Sequence, residues 1–405
     1  MIAVERCARR AFVVVIDACG VGALPDSAGY GDEGADTLGH VAGLAGGLNV
    51  PTLEKLGLGC IAPPLAGVPP AADPVIHGRL HPLGPGKDSA CGHRELMGLP
   101  AELAPPTYPD GFPPGVIAAI EHRTGRPVLA NRALDGLAAI ERYGEQAMAD
   151  GSLIVYTSQD SVLQIAAHAD AVSVEELHEA CAAVRGLMVG RHAVGRVIAR
   201  PFAGAPGSLC RCRGRRDFAL DPPGPTYLDE LVDAGVATHA VGKVGELFNG
   251  AGIVAEHRAD DNASALAAVD RLIDELEGGL VFANLVETDQ VYGHRHDAAG
   301  FGAALARIDH AVLGWLGRLD DDDLLVLTAD HGCDPVTPGT DHSREYVPLL
   351  ARVPGQAGTR HDGPMADVGA SVLAWCAGRT APGLPGEPFA GLRAPTGPTA
   401  RLPAG

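Results

Sequence analysis

Aromatic side chains, positive charge and long apolar runs are all scarce in this sequence. Phe, Trp and Tyr make up only 4% of 405 residues, so any core must be built mainly from Ala, Val, Leu and Ile. Lys and Arg number 31 against 50 Asp and Glu, a formal net charge of -19. That balance excludes a general binder of nucleic acid or of an anionic membrane surface, because a polyanion would be repelled. An acidic chain that handles phosphorylated compounds needs a local basic patch or bound cations. No stretch approaches the ~18–20 apolar residues of a membrane span. The run at 11–16 follows Arg6, Arg9 and Arg10 but stops at Asp17, short of the ~7–15 apolar residues of a signal peptide. The nine cysteines contain no C-x-x-C pair, and Cys210 and Cys212, the closest two, have no complement for a zinc finger. Reduced thiols and a cytoplasmic location are expected, with no obligate protein partner evident.

What is present is an α/β pattern. A hydrophobic fraction of 46% can fill cores, and 405 residues are too many for one. Short runs rich in β-branched residues at 12–16, 153–157, 237–241, 280–286 and 324–328 predict strands of a mainly parallel sheet. Helical periodicity at 265–276 and 302–319 lies among them. Proline clusters at 100–115 and 221–225 mark two junctions. They predict a core domain of residues 1–103 and 222–405 and an inserted domain of residues 104–221.

Three of these strands lead to an aspartate: Asp17, Asp289 and Asp330. Ligands of open α/β sheets sit beyond the carboxyl ends of the strands, so three distant carboxylates can meet in one crevice. One such Asp could be a helix cap; three in the same position are harder to explain that way. His331 adjoins Asp330, His294 and His296 follow Asp289, and His342 follows Asp341. Three Asp with three His exceed the needs of one ion and suit two divalent ions, the arrangement that serves phosphoryl chemistry. Spacing leaves His294 and His296 as alternatives. Residues 84–93 (Gly-Pro-Gly-Lys-Asp-Ser-Ala-Cys-Gly-His) offer Ser89 as a nucleophile, in a loop before a short helical pattern at 94–99. The segment lacks the spacing of a P-loop, and Cys91 is a weaker competitor. Between Arg185 and Arg216 stand eight arginines and no Asp or Glu, a local reversal of charge suited to phosphate oxygens.

On these motifs the chain resembles the bacterial-type phosphopentomutases of the alkaline phosphatase superfamily. The resemblance covers nearly all of the chain and rests on residues 15–22, 31–40, 86–93, 156–168, 195–201, 284–289, 328–332 and 339–348. It implies an alkaline-phosphatase-like core with a smaller α/β cap domain inserted. It further implies one ion held by Asp17, Asp330, His331 and the Ser89 oxygen, and a second held by Asp289, His294 and His342. Manganese is the expected ion, with magnesium or cobalt as alternatives. The implied reaction interconverts α-D-ribose 1-phosphate, or its 2-deoxy form, with the 5-phosphate through a phosphoserine and a 1,5-bisphosphate. Glucose 1,6-bisphosphate or a similar compound would prime the enzyme, and the partner is a small pentose phosphate. Asp160, Lys243 and, from the basic stretch, Arg196, Arg200 and Arg211 are the candidates for substrate contacts. A related metal-dependent phosphatase or a mutase for another phosphorylated sugar or glycerate is the rival. The family usually has Thr at Ser89, Thr and Trp at Cys91 and Arg94, and Asn at Cys333.

Overall fold

The computed structural model describes residues 9–392 apart from 62–63, 104, 159–160 and 357. Numbered along the chain, its strands are β1 (Arg10–Ile16), β2 (Ile76–His81), β3 (Val128–Ala133), β4 (Leu153–Thr157), β5 (Val162–His168), β6 (Arg196–Ala203) and β7 (Cys210–Arg211). They continue with β8 (Arg216–Ala219), β9 (Thr238–Val241), β10 (Ala255–His257), β11 (Gly279–Leu285), β12 (Asp323–Thr328), β13 (Val347–Arg352) and β14 (Gly363–Pro364). The chain forms two compact units, one of residues 1–102 and 222–405 and the other of residues 103–221.

The larger unit is an eight-stranded sheet in the order β10-β9-β11-β1-β12-β13-β2-β14. From β10 to β12 every pairing is parallel, while β13 runs antiparallel to both β12 and β2. Burial explains the sequence of the central strands. All of β11 and β12, and β1 beyond Arg10, are buried, so their apolar residues run continuously instead of alternating. The helix Asp367–Ala377 packs on β1, β11 and β12, and Asn262–Glu275 packs on β11 and β9. Polar atoms on these buried edges are satisfied by specific partners: Trp375 Nε1 donates to the Arg10 carbonyl at 3.0 Å, and the Arg10 guanidinium clasps Asp323 at 2.6 Å.

The smaller unit has its own sheet, β3-β4-β5-β6-β7, with β8 also paired to β6. Alternation along its strands divides two cores. Val155, Leu163, Ile165, Val197 and Ala199 face one side with Ile120, Leu177 and Val184 of two helices. Ile154, Tyr156, Ala166 and Phe202 face the other with Ala139 and Ile140 of the helix Gly136–Asp150. Residues 153–157, read with the other runs as a strand of a mainly parallel sheet but set by the proline junctions in the inserted domain, belong to this second sheet. Strand periodicity states that a segment is buried in a sheet but not in which sheet. Among the described residues no helix is long and apolar enough to cross a membrane.

Candidate metal centre

In the larger unit the parallel strands deliver their carboxyl ends to one edge. Asp17 directly follows β1, and its N–H still donates to the Leu285 carbonyl at the end of β11. Next to it Ala18 takes φ +63°, a left-handed conformation that costs energy in a residue with a Cβ. This turn is held because the Ala18 N–H donates to Asp330 Oδ1 at 3.2 Å. Asp330 and His331 follow β12, and Asp289 lies in the helical turn Thr288–Tyr292 after β11.

These side chains form a chain of near contacts. His331 Nε2 is 3.3 Å from Asp17 Oδ1 and 3.4 Å from Asp330 Oδ2. The His331 and His342 rings are 4.0 Å apart, and His342 Nε2 is 3.6 Å from Asp289 Oδ1. Asp289 Oδ2 in turn meets His294 Nε2 at 3.3 Å. His294 is the histidine brought to Asp289; His296 Nε2 points to the Gly339 carbonyl instead. In both His331 and His294 the Nδ1 atom contacts a backbone carbonyl, Gly332 at 3.0 Å and Thr340 at 2.5 Å. That contact favours a proton on Nδ1 and leaves Nε2 facing the neighbouring carboxylates, the atom that could meet a cation.

Ser89 reaches this cluster: its Oγ is 3.1 Å from His331 Nε2. The expected loop around Ser89 is instead the start of a helix, Ser89–Leu96, whose first residue is the serine. Asp88 is the N-cap, accepting from the Cys91 N–H at 2.9 Å, so the helix begins five residues before the apolar pattern suggests. The helix can approach β12 so closely because residue 92 is glycine; a Cβ there would stand 2.2 Å from the Asp330 carbonyl oxygen.

Several residues that hold the centre lie within the motifs that carry the resemblance, but the sequence assigns them no role. His93 Nδ1 lies 2.8 Å from the Ser89 carbonyl and 3.2 Å from Asp330 Oδ2. Asn284 Nδ2 donates to Asp17 Oδ2 at 3.1 Å and lies 3.0 Å from His93 Nε2. Glu345 is fully buried and accepts hydrogen bonds from Gly22 N, Thr37 N, Thr37 Oγ1 and Ser343 Oγ, joining three loops. Burial pushes its carboxyl up to about 7 against those bonds. Lys87, two residues before the serine, donates to Asp32 Oδ2 at 3.0 Å, and Arg344 Nη1 donates to the Gly86 carbonyl at 2.8 Å. Asp32, in the motif at 31–40, and Arg344 thereby anchor the segment that leads into the Ser89 helix.

The electrostatics favour cations. Burial, then Asp330 and Asp289, push the Asp17 carboxyl up. Burial opposes charge on His331, yet Asp330 and Asp17 hold its imidazole well above its ordinary value. Burial likewise opposes charge on His294, but Asp289 and Cys333 raise it to about 12. The potential that draws protons onto these imidazoles equally attracts divalent ions. The donor set fits them: Asp17 Oδ1, Asp289 Oδ1, Asp330 Oδ2 and His342 Nε2 are buried with no hydrogen-bond partner. Asp17, Asp330 and His331 form one ligand-spaced group, Asp289, His331 and His342 a second, and Asp289, His294 and Cys333 a third, with donor atoms within 4.8 Å in each. Buried acceptors left unpaired are costly unless something positive fills the space between them.

The remaining candidates lie elsewhere. Lys243 follows β9, half-buried at the turn into the helix Val244–Leu247. Asp160 lies outside the described residues. Arg196, Arg200 and Arg211 belong to the smaller unit. Arg196 Nη1 pairs with Asp217 at 3.4 Å. Arg200 is the notable one: its Nε is buried with no hydrogen-bond partner, as is the Tyr156 hydroxyl. Burial, then Arg215 and Arg211, lower the Arg200 guanidinium from its ordinary value. A Cβ on Gly136 would meet Arg211 Nη2 at 2.5 Å and the Tyr156 hydroxyl at 2.8 Å, so these donors converge at one helix start. Unsatisfied donors among crowded guanidinium groups fit an anion.

Comparison with known proteins gives this geometry a context. The metalloenzyme superfamily model matches residues 9–376. A phosphopentomutase of Caldanaerobacter subterraneus subsp. tengcongensis is 46% identical over 368 residues, covering 90% of this chain and 93% of that protein. One from Anaeromyxobacter dehalogenans is 46% identical over 370 residues, covering 90% and 94%. Among solved structures, phosphoglycerate mutase of Leishmania mexicana superimposes with a TM-score of 0.50 at 14% identity, covering 95% of this chain and 98% of that one. The last likeness concerns the fold alone.

Proposed function

The chain belongs to the phosphopentomutase family within the metalloenzyme superfamily, isomerases dependent on divalent metal ions, and from that premise we propose how its own residues divide the work. The reaction is the interconversion of α-D-ribose 1-phosphate, or its 2-deoxy form, with the 5-phosphate. Asp17, Asp330, His331 and the Ser89 oxygen would hold one ion, and Asp289, His294 and His342 the other, with manganese the preferred metal for carboxylate and imidazole ligands alone. When bound, such ions lower the pKa of a nearby hydroxyl and neutralise phosphate oxygens.

Ser89 Oγ is the atom that carries the phosphoryl group. In the resting enzyme it is phosphorylated. The free hydroxyl of the pentose phosphate attacks that phosphorus, the bond from phosphorus to Ser89 Oγ breaks, and a 1,5-bisphosphate forms. The second phosphate then passes to Ser89 Oγ, releasing the isomerised monophosphate. Asp88 and His93 hold the serine in place, the one by capping its helix and the other by gripping its carbonyl. Arg200 and Arg211, with Asp160, Arg196 and Lys243, contact the substrate. Glucose 1,6-bisphosphate, or a similar sugar bisphosphate, restores the phosphoserine when it is lost.

The observation that carries this reading is the 3.1 Å approach of Ser89 Oγ to His331 Nε2 beside unpaired buried carboxylate atoms. Incubation with a labelled sugar bisphosphate should label the wild-type protein on Ser89. Ser89→Ala should take no label while keeping its metal content, and retained turnover in that variant would overturn the assignment. With ribose 1-phosphate as substrate, accumulation of free phosphate in place of the 5-phosphate would favour a phosphatase.

A further inference from the structure

We propose that Cys333 supplies a thiolate to the ion held at Asp289 and His294, so that this position takes a softer divalent ion, of the zinc or cobalt class, than the position at Asp17 and Asp330. The inference rests on the reading of Asp289 and His294 as metal ligands. Its own support is local. The Cys333 sulfur, an Asp289 oxygen and a His294 nitrogen lie within 4.8 Å of one another, a spacing one ion can span. Among the described residues Cys333 is the one cysteine in such a group.

The sulfur is also held where it is. Cys333 is 1% exposed, and its N–H donates to Thr37 Oγ1 at 3.0 Å, within the network closed by Glu345. Its thiol has only weak protein contacts, the Asp341 carbonyl at 3.7 Å and His294 Nδ1 at 4.0 Å. Residue 293, which precedes the ligand histidine, is glycine; a Cβ there would stand 3.1 Å from the sulfur. Asp289 Oδ1, buried without a hydrogen-bond partner, belongs to the same carboxylate. A pocket filler would need none of this alignment.

The chemistry follows from ligand softness. Carboxylate and imidazole accept manganese, magnesium, cobalt or zinc, whereas a thiolate biases a site towards zinc and its neighbours. As the sulfur lone pair bonds to the ion, the S–H proton leaves to solvent, and sulfur is neither oxidised nor reduced. The position at Asp17, Asp330 and His331 has no sulfur in its group and keeps its preference for harder ions.

The test uses the full chain loaded with cobalt. Wild-type protein should show a near-ultraviolet sulfur-to-cobalt charge-transfer band that is absent from Cys333→Asn. When equimolar zinc and manganese compete, metal analysis of that variant should show zinc occupancy reduced about tenfold relative to manganese. Visible cobalt bands with no sulfur band in the wild type would overturn the role of Cys333 and leave the metal centre intact. No cobalt absorption at all would overturn both. Should the variant fail to fold, zinc X-ray absorption on wild-type protein decides: a directly bonded sulfur supports the inference, and only nitrogen and oxygen neighbours refute it.

Discussion

The two units of this chain share a design and differ in charge. Each is a sheet covered by helices, and each leaves polar atoms buried without partners. In the larger unit these include three carboxylate oxygens and an imidazole nitrogen gathered at the candidate centre, with Arg79 Nε, Asn262 Nδ2 and Asn284 Oδ1 besides; in the smaller they include Arg200 Nε, the Tyr156 hydroxyl and Ser152 Oγ. The net charge of -19 is thus a poor guide to what either unit binds. An unpaired buried acceptor asks for a cation and an unpaired buried donor asks for an anion.

The strongest attempt to break this contrast is Asp330→Asn. It should remove the ion held with Asp17 and lower turnover by at least about 10³-fold, measured with metal content alongside. Arg200→Met in the smaller unit should lower kcat/KM by a smaller factor, about 10- to 100-fold, as loss of a charge-assisted hydrogen bond does. It should leave metal content unchanged. A reversal of these two results would mean that the units do not divide the chemistry by charge.

Proton linkage sharpens the comparison. The His294 imidazole, raised to about 12, holds a proton at ordinary pH when no cation is present. A divalent ion must displace it, so the apparent metal affinity should rise as pH increases from about 6 to about 9. Calorimetry in buffers of different ionisation enthalpy should find protons released on loading. Arg200→Met should release the same number.

The smallest effects are in the caps. The Thr226 side chain closes a capping box with Asp229 in the larger unit, and Ser173 does so with Glu176 in the smaller. Thr226→Ala and Ser173→Ala should each cost about 1 kcal/mol. If the units melt separately, calorimetry should show each substitution moving a different transition.

Much of the centre was legible because parallel strands share one carboxyl edge: Asp17, Asp289 and Asp330 each follow such a strand. The start of the helix at Ser89 was missed although Asp88 has the residue type of an N-cap, because the following residues lack an apolar stripe. His93 and Asn284 lie in motifs that carry the resemblance, yet their roles were unreadable for another reason. They matter only through contacts to Asp330 and Asp17, residues remote in sequence, which no local pattern encodes. The same holds for Glu345, whose partners come from residues 22, 37 and 343. A strand at 153–157 was readable from its composition, whereas its place in the inserted unit came from the proline junctions and not from its own periodicity.

The place of β1 has a consequence for synthesis. It lies between β11 and β12, with Arg10 beside Gly279 and Asp323. A growing chain must therefore carry its apolar segment from Ala11 to Ile16 unpaired while more than half of the protein is still being made. Closing such long loops is slow, and an unpaired apolar strand can pair with other chains. Yield on rapid overexpression should depend on holding this segment apart until its neighbours arrive.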